Sequence, residues 1–289
     1  MTFHNKKIAI IGLGLMGGSL ALALKKRFPR CILYGVSRSK QKIRYARRNR
    51  IIDKGSCDLR VLLEKVDMDI IIIATPVRII KKVITDIHAV ARNKPIVTDL
   101  GSTKEELLRW VDRSSFSNVL FVGSHPMAGS HEMGLSVIQK DLYTNTMCFV
   151  TKTSKTSRKA LRVVLNMWKN IHVRTVVINP TRHDKIVSKI SHLPHAIALL
   201  LVHTTTRSGA AVLRYAGSGF LDSTRIAQSD ASIWIDILLS NKVNIIKDLA
   251  LFKNATDTLM HVLKKGDERK LRAFLLQTSA KRKKIKSLL

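Results

Sequence analysis

The sequence is short of acid. Its 289 residues hold 20 aspartates and glutamates against 51 lysines and arginines, a formal net charge of +31. Such an imbalance ordinarily points to a polyanionic partner. A second scarcity argues against nucleic acid. Aromatic residues make up only 5% and do not interleave with the denser basic runs at 40–50 and 281–286, so no platform for stacking bases is offered. The basic residues are expected to form a solvated surface that helps steer anionic substrates and dinucleotides, with no specific nucleic-acid partner. Cysteine is scarce too. Cys31, Cys57 and Cys148 cannot all pair and lack metal-ligand spacing, which predicts ordinary thiols in a reducing compartment, the cytoplasm, and no metal. Long apolar runs are missing: 70–74 and 196–202 are core-sized, and no membrane span is expected. Residues 1–7 lead directly into a glycine-rich motif, so no signal or transit peptide is expected.

What is present is a 45% hydrophobic content arranged in two patterns. Through residue 178, short apolar strands at 7–12, 31–36, 69–74, 95–99, 118–123, 147–151 and 174–178 alternate with helical stretches such as 19–28, 40–49 and 157–169. That alternation predicts crossover units on a parallel sheet, an α/β domain over 1–178. From 179 to 289 apolar residues recur at helical spacing through 183–206, 231–258 and 269–276, so this part is expected to be all-helical. The stretch 190–202 is too apolar for a surface helix and suggests a buried helix or a subunit interface.

Gly12-Leu13-Gly14-Leu15-Met16-Gly17 follows the first strand and opens the first helix. In that setting Gly12 permits a tight turn, Gly14 lets the backbone approach a pyrophosphate, and Gly17 allows helix and strand to pack closely. The phosphates would lie at the positive helix end near Leu15 and Met16. At the end of the second strand stands Ser37-Arg38-Ser39, with Ser37 where an acidic residue would hold a ribose hydroxyl. Hydroxyls and a guanidinium suit a 2′-phosphate, which favours NADP over NAD, with use of both left open. Thr75 and Pro76 end another strand and could border the nicotinamide riboside or form a plain turn.

Three polar motifs remain: Gly123-Ser124-His125-Pro126-Met127-Ala128-Gly129-Ser130-His131-Glu132; His183-Asp184 followed by Ser191-His192-Leu193-Pro194-His195; and Asp222-Ser223-Thr224-Arg225 ahead of Trp234. Together with the Gly-Leu-Gly-Leu-Met-Gly-Gly-Ser start, their order and spacing resemble the prephenate/arogenate dehydrogenase family over nearly the whole chain. The resemblance implies a Rossmann-like domain followed by a helical dimerisation domain, a homodimer, and oxidative decarboxylation of prephenate to 4-hydroxyphenylpyruvate in tyrosine biosynthesis. Hydride would leave the carbinol carbon for NAD(P), the ring hydroxyl would need a proton acceptor, and the anionic substrate would need a cation.

By the same resemblance His125 partners the ring hydroxyl and Ser102 hydrogen-bonds it, with a helix N-cap as the alternative role of Ser102. Arg225 would grip a substrate carboxylate, reaching in from a partner subunit, with Asp222 orienting it. Ser191, His192 and His195 would surround the pocket, His195 as the substrate contact, with His183 and Trp234 supporting the wall. Position 131 lies where the family senses the substrate side chain. A histidine there favours prephenate over arogenate, whose ammonium group would prefer a carboxylate. Ser218 replaces a common glycine and could tighten the pocket. No chorismate mutase is expected ahead of the glycine motif and no amino-acid-sensing domain after the helices. Arogenate dehydrogenase is the alternative activity. β-Hydroxyacid dehydrogenases share the plan but depend on a lysine where this chain has Ser-His-Leu-Pro-His, and a polyanion binder on a decayed scaffold is the remaining reading.

Overall fold

Apolar, β-branched segments form an eight-stranded sheet in a computed structural model that describes residues 3–129, 134, 136–207 and 209–286. The strands are β1 (Lys7–Ile11), β2 (Ile32–Val36), β3 (Lys54–Ser56), β4 (Ile70–Ile73), β5 (Ile96–Asp99), β6 (Leu120–Pro126), β7 (Met147–Thr151) and β8 (Arg174–Ile178). Their order is β3-β2-β1-β4-β5-β6-β7-β8. All neighbours are parallel except β6 and β7. The helices α1 (Leu15–Arg27), α2 (Lys40–Arg48), α3 (Leu59–Lys65), α4 (Val77–Val90), α5 (Glu105–Arg113) and α6 (Arg158–Asn170) cover it. Successive strand residues point to opposite faces. Ile8, Ile10 and Ile72 therefore enter one core with Leu20, Leu33 and Trp168, while Ala9, Ile11, Ile71 and Ile73 enter another with Tyr34, Ile84 and Leu108. Burial on both faces explains why β4 is an unbroken run of isoleucine. The parallel α/β expectation holds, with two departures. β3 has no apolar residue to reveal it, and β7 reverses direction.

Beyond Ile178 no strand occurs among the described residues. Helix α7 (Pro180–Val187) runs through a π-helical turn (Ser188–His192) into α8 (Leu193–Thr205). The Leu193 N–H bonds to Ser188 O, five residues back. Pro194 gives a physical reason for the wide turn: its ring would clash with the Ile190 carbonyl in a regular α-helix, and it has no N–H to offer. Short 3₁₀ segments (Ala210–Tyr215 and Arg225–Gln228) flank α9 (Ser218–Thr224), and α10 (Ala231–Ser240), α11 (Lys242–Lys265) and α12 (Glu268–Lys286) follow. The helix expected over 231–258 is thus broken at Asn241 and continues further.

The chain divides by packing into two units, Met1–Asn241 and Lys242–Leu289. In the second, α11 and α12 are joined through Gly266, whose φ of +60° favours glycine, and the Asp267 carboxylate caps α12 by accepting Lys270 N–H at 3.0 Å. The absence of a membrane-length segment needs correction. The continuous helix Pro180–Thr205 is long and apolar enough to cross a membrane by length and composition, with mean hydropathy 1.3 over its best window. It also carries the buried polar residues His183, Asp184, His192 and His195.

Candidate active site

Open parallel sheets bind ligands at the carboxyl ends of strands where the strand order reverses. Here that point lies between β1 and β4. Gly12, with φ +101°, packs so tightly that a Cβ would stand 2.5 Å from Ala74 O, and a Cβ on Gly17 would stand 2.0 Å from Gly12 O. Gly14 differs: a Cβ there would meet nothing within 4 Å, so the loop is open at the residue expected to face a pyrophosphate. Helix α1 has no side-chain cap and no acid in its first turn, leaving its positive end to an anion. Leu15 is buried in the motif, and the Met16 carbonyl accepts the Tyr143 hydroxyl at 2.8 Å. Thr75 Oγ1, at the end of β4, is buried without a partner among the described residues, and Pro76 is the N-cap of α4. These residues fit a dinucleotide.

At the end of β2, the Ser37 hydroxyl accepts Ser39 N–H at 3.3 Å, and the Ser39 hydroxyl accepts Lys42 N–H at 3.2 Å as the cap of α2. Both oxygens accept, so both hydroxyl hydrogens remain able to donate. Arg38 is exposed between them.

His125 lies near the end of β6 and is buried. Its Nδ1 is 2.9 Å from His183 Nε2, and His183 Nδ1 is 2.6 Å from Asp184 Oδ1. A carboxylate accepts, so His183 Nδ1 carries the proton and donates. Nε2 of neutral His183 then accepts from His125 Nδ1–H, which leaves the lone pair of His125 on Nε2. Burial first, then the nearby His183, Lys104 and His192 charges, hold His125 well below the ordinary imidazole range. Burial likewise lowers His183, partly opposed by Asp184. His125 is therefore a neutral base at neutral pH, with its tautomer set by the chain behind it.

The Asp184 carboxylate is held by the start of α5, accepting Lys104 N–H at 2.8 Å and Glu105 N–H at 3.0 Å. The alternative reading of Ser102 as a helix N-cap is therefore not met. Ser102 is half-buried in the β5–α5 loop, and the cap comes from α7. Beneath the loop is an ion pair with both side chains fully buried. Lys104 Nζ donates to Asp99 Oδ2 at 2.6 Å and to the carbonyls of Gly101 at 2.7 Å and Thr103 at 3.3 Å. Asp99 Oδ1 accepts Ser124 N–H at 3.1 Å. The pair thus ties the Ser102 loop to the residue preceding His125.

His195 stacks on Trp234, with ring centroids 3.3 Å apart and planes at 6°. Burial depresses His195 to about 4, and His192 to about 4 as well. Ser191 is half-buried beside them on the π-helical turn. His192 Nε2 and His195 Nδ1 are buried without hydrogen bonds among the described residues.

Residues 20–177 match the family model described as the prephenate dehydrogenase nucleotide-binding domain, and residues 179–277 match its dimerization domain. The chain belongs to the prephenate dehydrogenase family. It is 36% identical over 243 residues to a prephenate dehydrogenase of Bacillus subtilis, covering 83% of this chain and 65% of the relative's length. It is 32% identical over 276 residues to one from Lactococcus lactis, covering 93% of this chain and 74% of that protein. The crystal structure of Aquifex aeolicus prephenate dehydrogenase in complex with hydroxyphenyl propionate and NAD+ superposes with a TM-score of 0.90 at 30% identity, over 97% of this chain and 98% of that one.

Within this family fold, hydrogen bonds join His125, His183, Asp184, Asn241 and His192, the rings of His192 and His195 both pack on Trp234, and the β1 and β4 loops meet where Gly12 abuts Ala74 and Thr75. The single chain does not place Arg225 or Asp222 in that cluster: both are exposed, with no ion pair between them among the described residues. Arg225 lies on the 3₁₀ segment that packs against α8. His131 falls outside the described residues. The sequence motifs include Asp184, Asp99 and Lys104 without giving them a role, pass over Asn241, and give His183 only a wall-supporting role. The signal for Asp99 and Lys104 was a charged pair flanking Gly101 directly after a strand.

Proposed function

We propose that the chain is a prephenate dehydrogenase, converting prephenate to 4-hydroxyphenylpyruvate and carbon dioxide in tyrosine biosynthesis. The observation that carries this reading is the Asp184–His183–His125 chain, which ends in a neutral nitrogen able only to accept. A bound nicotinamide would supply the acceptor for the hydride of the substrate's carbinol carbon. His125 Nε2 accepts the hydroxyl proton as that carbon is oxidised. The bond to the ring carboxylate breaks, its electrons enter the ring, and the proton returns to the phenolic oxygen. Ser102, on the loop between β5 and α5, would hydrogen-bond the same oxygen, as the family resemblance implies. Burial of His125 excludes water and keeps its acceptor state available.

Ser37, Arg38 and Ser39 favour NADP over NAD, because two donor hydroxyls and a guanidinium suit a 2′-phosphate. A homodimer suits the exposed Leu199, Leu200 and Leu201 of α8 and the position of Arg225, which would serve a substrate carboxylate from the opposite subunit with Asp222 orienting it. A cytoplasmic location suits the free thiols Cys31 and Cys148, both buried. Initial rates with prephenate and arogenate, each with NAD and NADP, test the reading. Fast reduction of NADP with prephenate is expected. Preference for arogenate would reverse the argument from His131, and no reduction with any pair would overturn the activity.

A further inference from the structure

Asn241 sits between α10 and α11 and is nearly fully buried. Its Nδ2 lies 2.8 Å from the peptide oxygen of Asp184 and 3.1 Å from His192 Nδ1. A peptide oxygen only accepts, so the atom facing it is the amide nitrogen and not the amide oxygen. One amide hydrogen goes to Asp184. The other is directed at His192 Nδ1, which must then be the unprotonated nitrogen of the ring. Burial holds His192 neutral down to about 4. A neutral imidazole with a bare Nδ1 carries its single proton on Nε2. That Nε2–H is buried and makes no hydrogen bond among the described residues, a state that buried donors rarely keep once a ligand is bound.

We propose that Asn241 is a positioning residue that holds His192 as its Nε2–H tautomer, so that His192 donates a hydrogen bond to an acceptor oxygen of the bound substrate. The inference rests on the dehydrogenase reading for the identity of that substrate. Its chemistry comes from the site itself. His125, wired through His183 and Asp184, presents a lone pair, and His192, wired through Asn241, presents a proton. The two wires meet at one residue, since the Asp184 side chain serves His183 and its peptide oxygen serves Asn241. A substrate bearing one hydroxyl and several carboxylate or keto oxygens can satisfy both rings in one orientation: hydroxyl to His125, acceptor oxygen to His192. Reversing it would set donor against donor and lone pair against lone pair. The arrangement therefore orients a ligand whose two ends differ in hydrogen-bonding sense.

The test is nitrogen-15 NMR of the histidine rings in the full chain, read beside steady-state kinetics. In the wild-type protein His192 should show a protonated Nε2 and a bare Nδ1. Asn241→Leu should release this preference, giving a mixture of tautomers, and should raise KM for prephenate by about tenfold or more, with a smaller fall in kcat. His192→Phe should raise KM similarly, and His192→Gln, which keeps a donor, should recover part of it. Adding Asn241→Leu to His192→Phe should then cost little more. A purely structural Asn241 would lower Tm, add its full effect in the double variant and leave the tautomer alone, and that result overturns the proposal. So does a wild-type His192 protonated on Nδ1. If Asn241→Leu fails to fold, the wild-type tautomer and the His192→Phe and His192→Gln pair still decide. An active wild type with the wrong tautomer sinks this inference alone. A correct tautomer in a protein that oxidises neither prephenate nor arogenate sinks the dehydrogenase reading, and with it the substrate as the acceptor.

Discussion

Two pairs of histidines share this site and are treated in opposite ways. In the pair His125 and His183, three of the four ring nitrogens are engaged in a line that ends at a carboxylate bound to a helix start. In the pair His192 and His195, each ring keeps one buried nitrogen without a partner among the described residues, and one ring lies flat on an indole. The first pair is arranged before any ligand arrives and leaves one atom over for chemistry. The second is incomplete among the described residues, and a bound ligand would complete it. A wired pair suits proton transfer, where geometry must be set in advance. An incomplete pair suits recognition, where the unmatched groups reject a ligand that cannot match them.

The comparison can be broken most sharply at His125. His125→Asn should cut kcat by about two to four orders of magnitude while leaving dinucleotide affinity largely intact. Near-normal turnover, measured by nicotinamide absorbance, would remove the wired pair from the chemistry. Next comes the buried ion pair beneath it. Lys104→Met leaves Asp99 buried without its cation and should destabilise the protein by about 3–5 kcal/mol in denaturant titration. An unchanged midpoint would show that the loop does not depend on the pair. A smaller and different effect is expected at the second pair. His195→Phe keeps the stacking on Trp234 and should act on KM, by about tenfold, more than on kcat. A fall in kcat alone would make the two pairs alike.

The smallest effect is one of pH. The folded protein holds His125 below the ordinary imidazole value, so the neutral base survives as pH falls, and the acid limb of kcat/KM should lie below about pH 6.5. Stability has the same sign. Unfolded histidines take up protons below about pH 6.5, whereas His192 and His195 stay neutral until about 4. Stability present above the upper value should therefore decline as pH falls through that window. A flat thermal midpoint across it would mean that these rings are not buried as described.

Much of this was legible in the residues. The glycine loop, the strands of the parallel sheet and the histidine motifs announce themselves because each rests on local chemistry: a backbone that needs glycine, a run that needs burial on two faces, side chains dense enough to be improbable as filler. What escaped was set by distance. Asp184 caps a helix that begins 79 residues earlier in the chain, and nothing local marks it as a cap. Lys104 looks like one more surface cation in a sequence crowded with them, and only the fold shows it fully buried. Asn241 falls inside the single helix that apolar spacing predicts over 231–258, and only the fold shows the break and the buried amide there. The reversal of β7 depends on pairing with β6, which no periodicity encodes. Arg225 is the converse case, since its role was read from resemblance and the single chain leaves it exposed.

The π-helical turn at Ser188–His192 works as a phase shifter between two parts of the site. An α-helix advances about 100° per residue, so one residue more or fewer in this segment would swing everything after it by more than a quarter turn about the axis. His183 and Asp184 stand before the turn, and His195 stands after it. Shortening the segment by one residue would leave the proton wire intact and rotate the stacked ring away from Trp234. The two histidine pairs are thus geared to each other by the count of residues in a single turn, and a deletion of Ile190 would uncouple binding from chemistry without removing a residue that takes part in either.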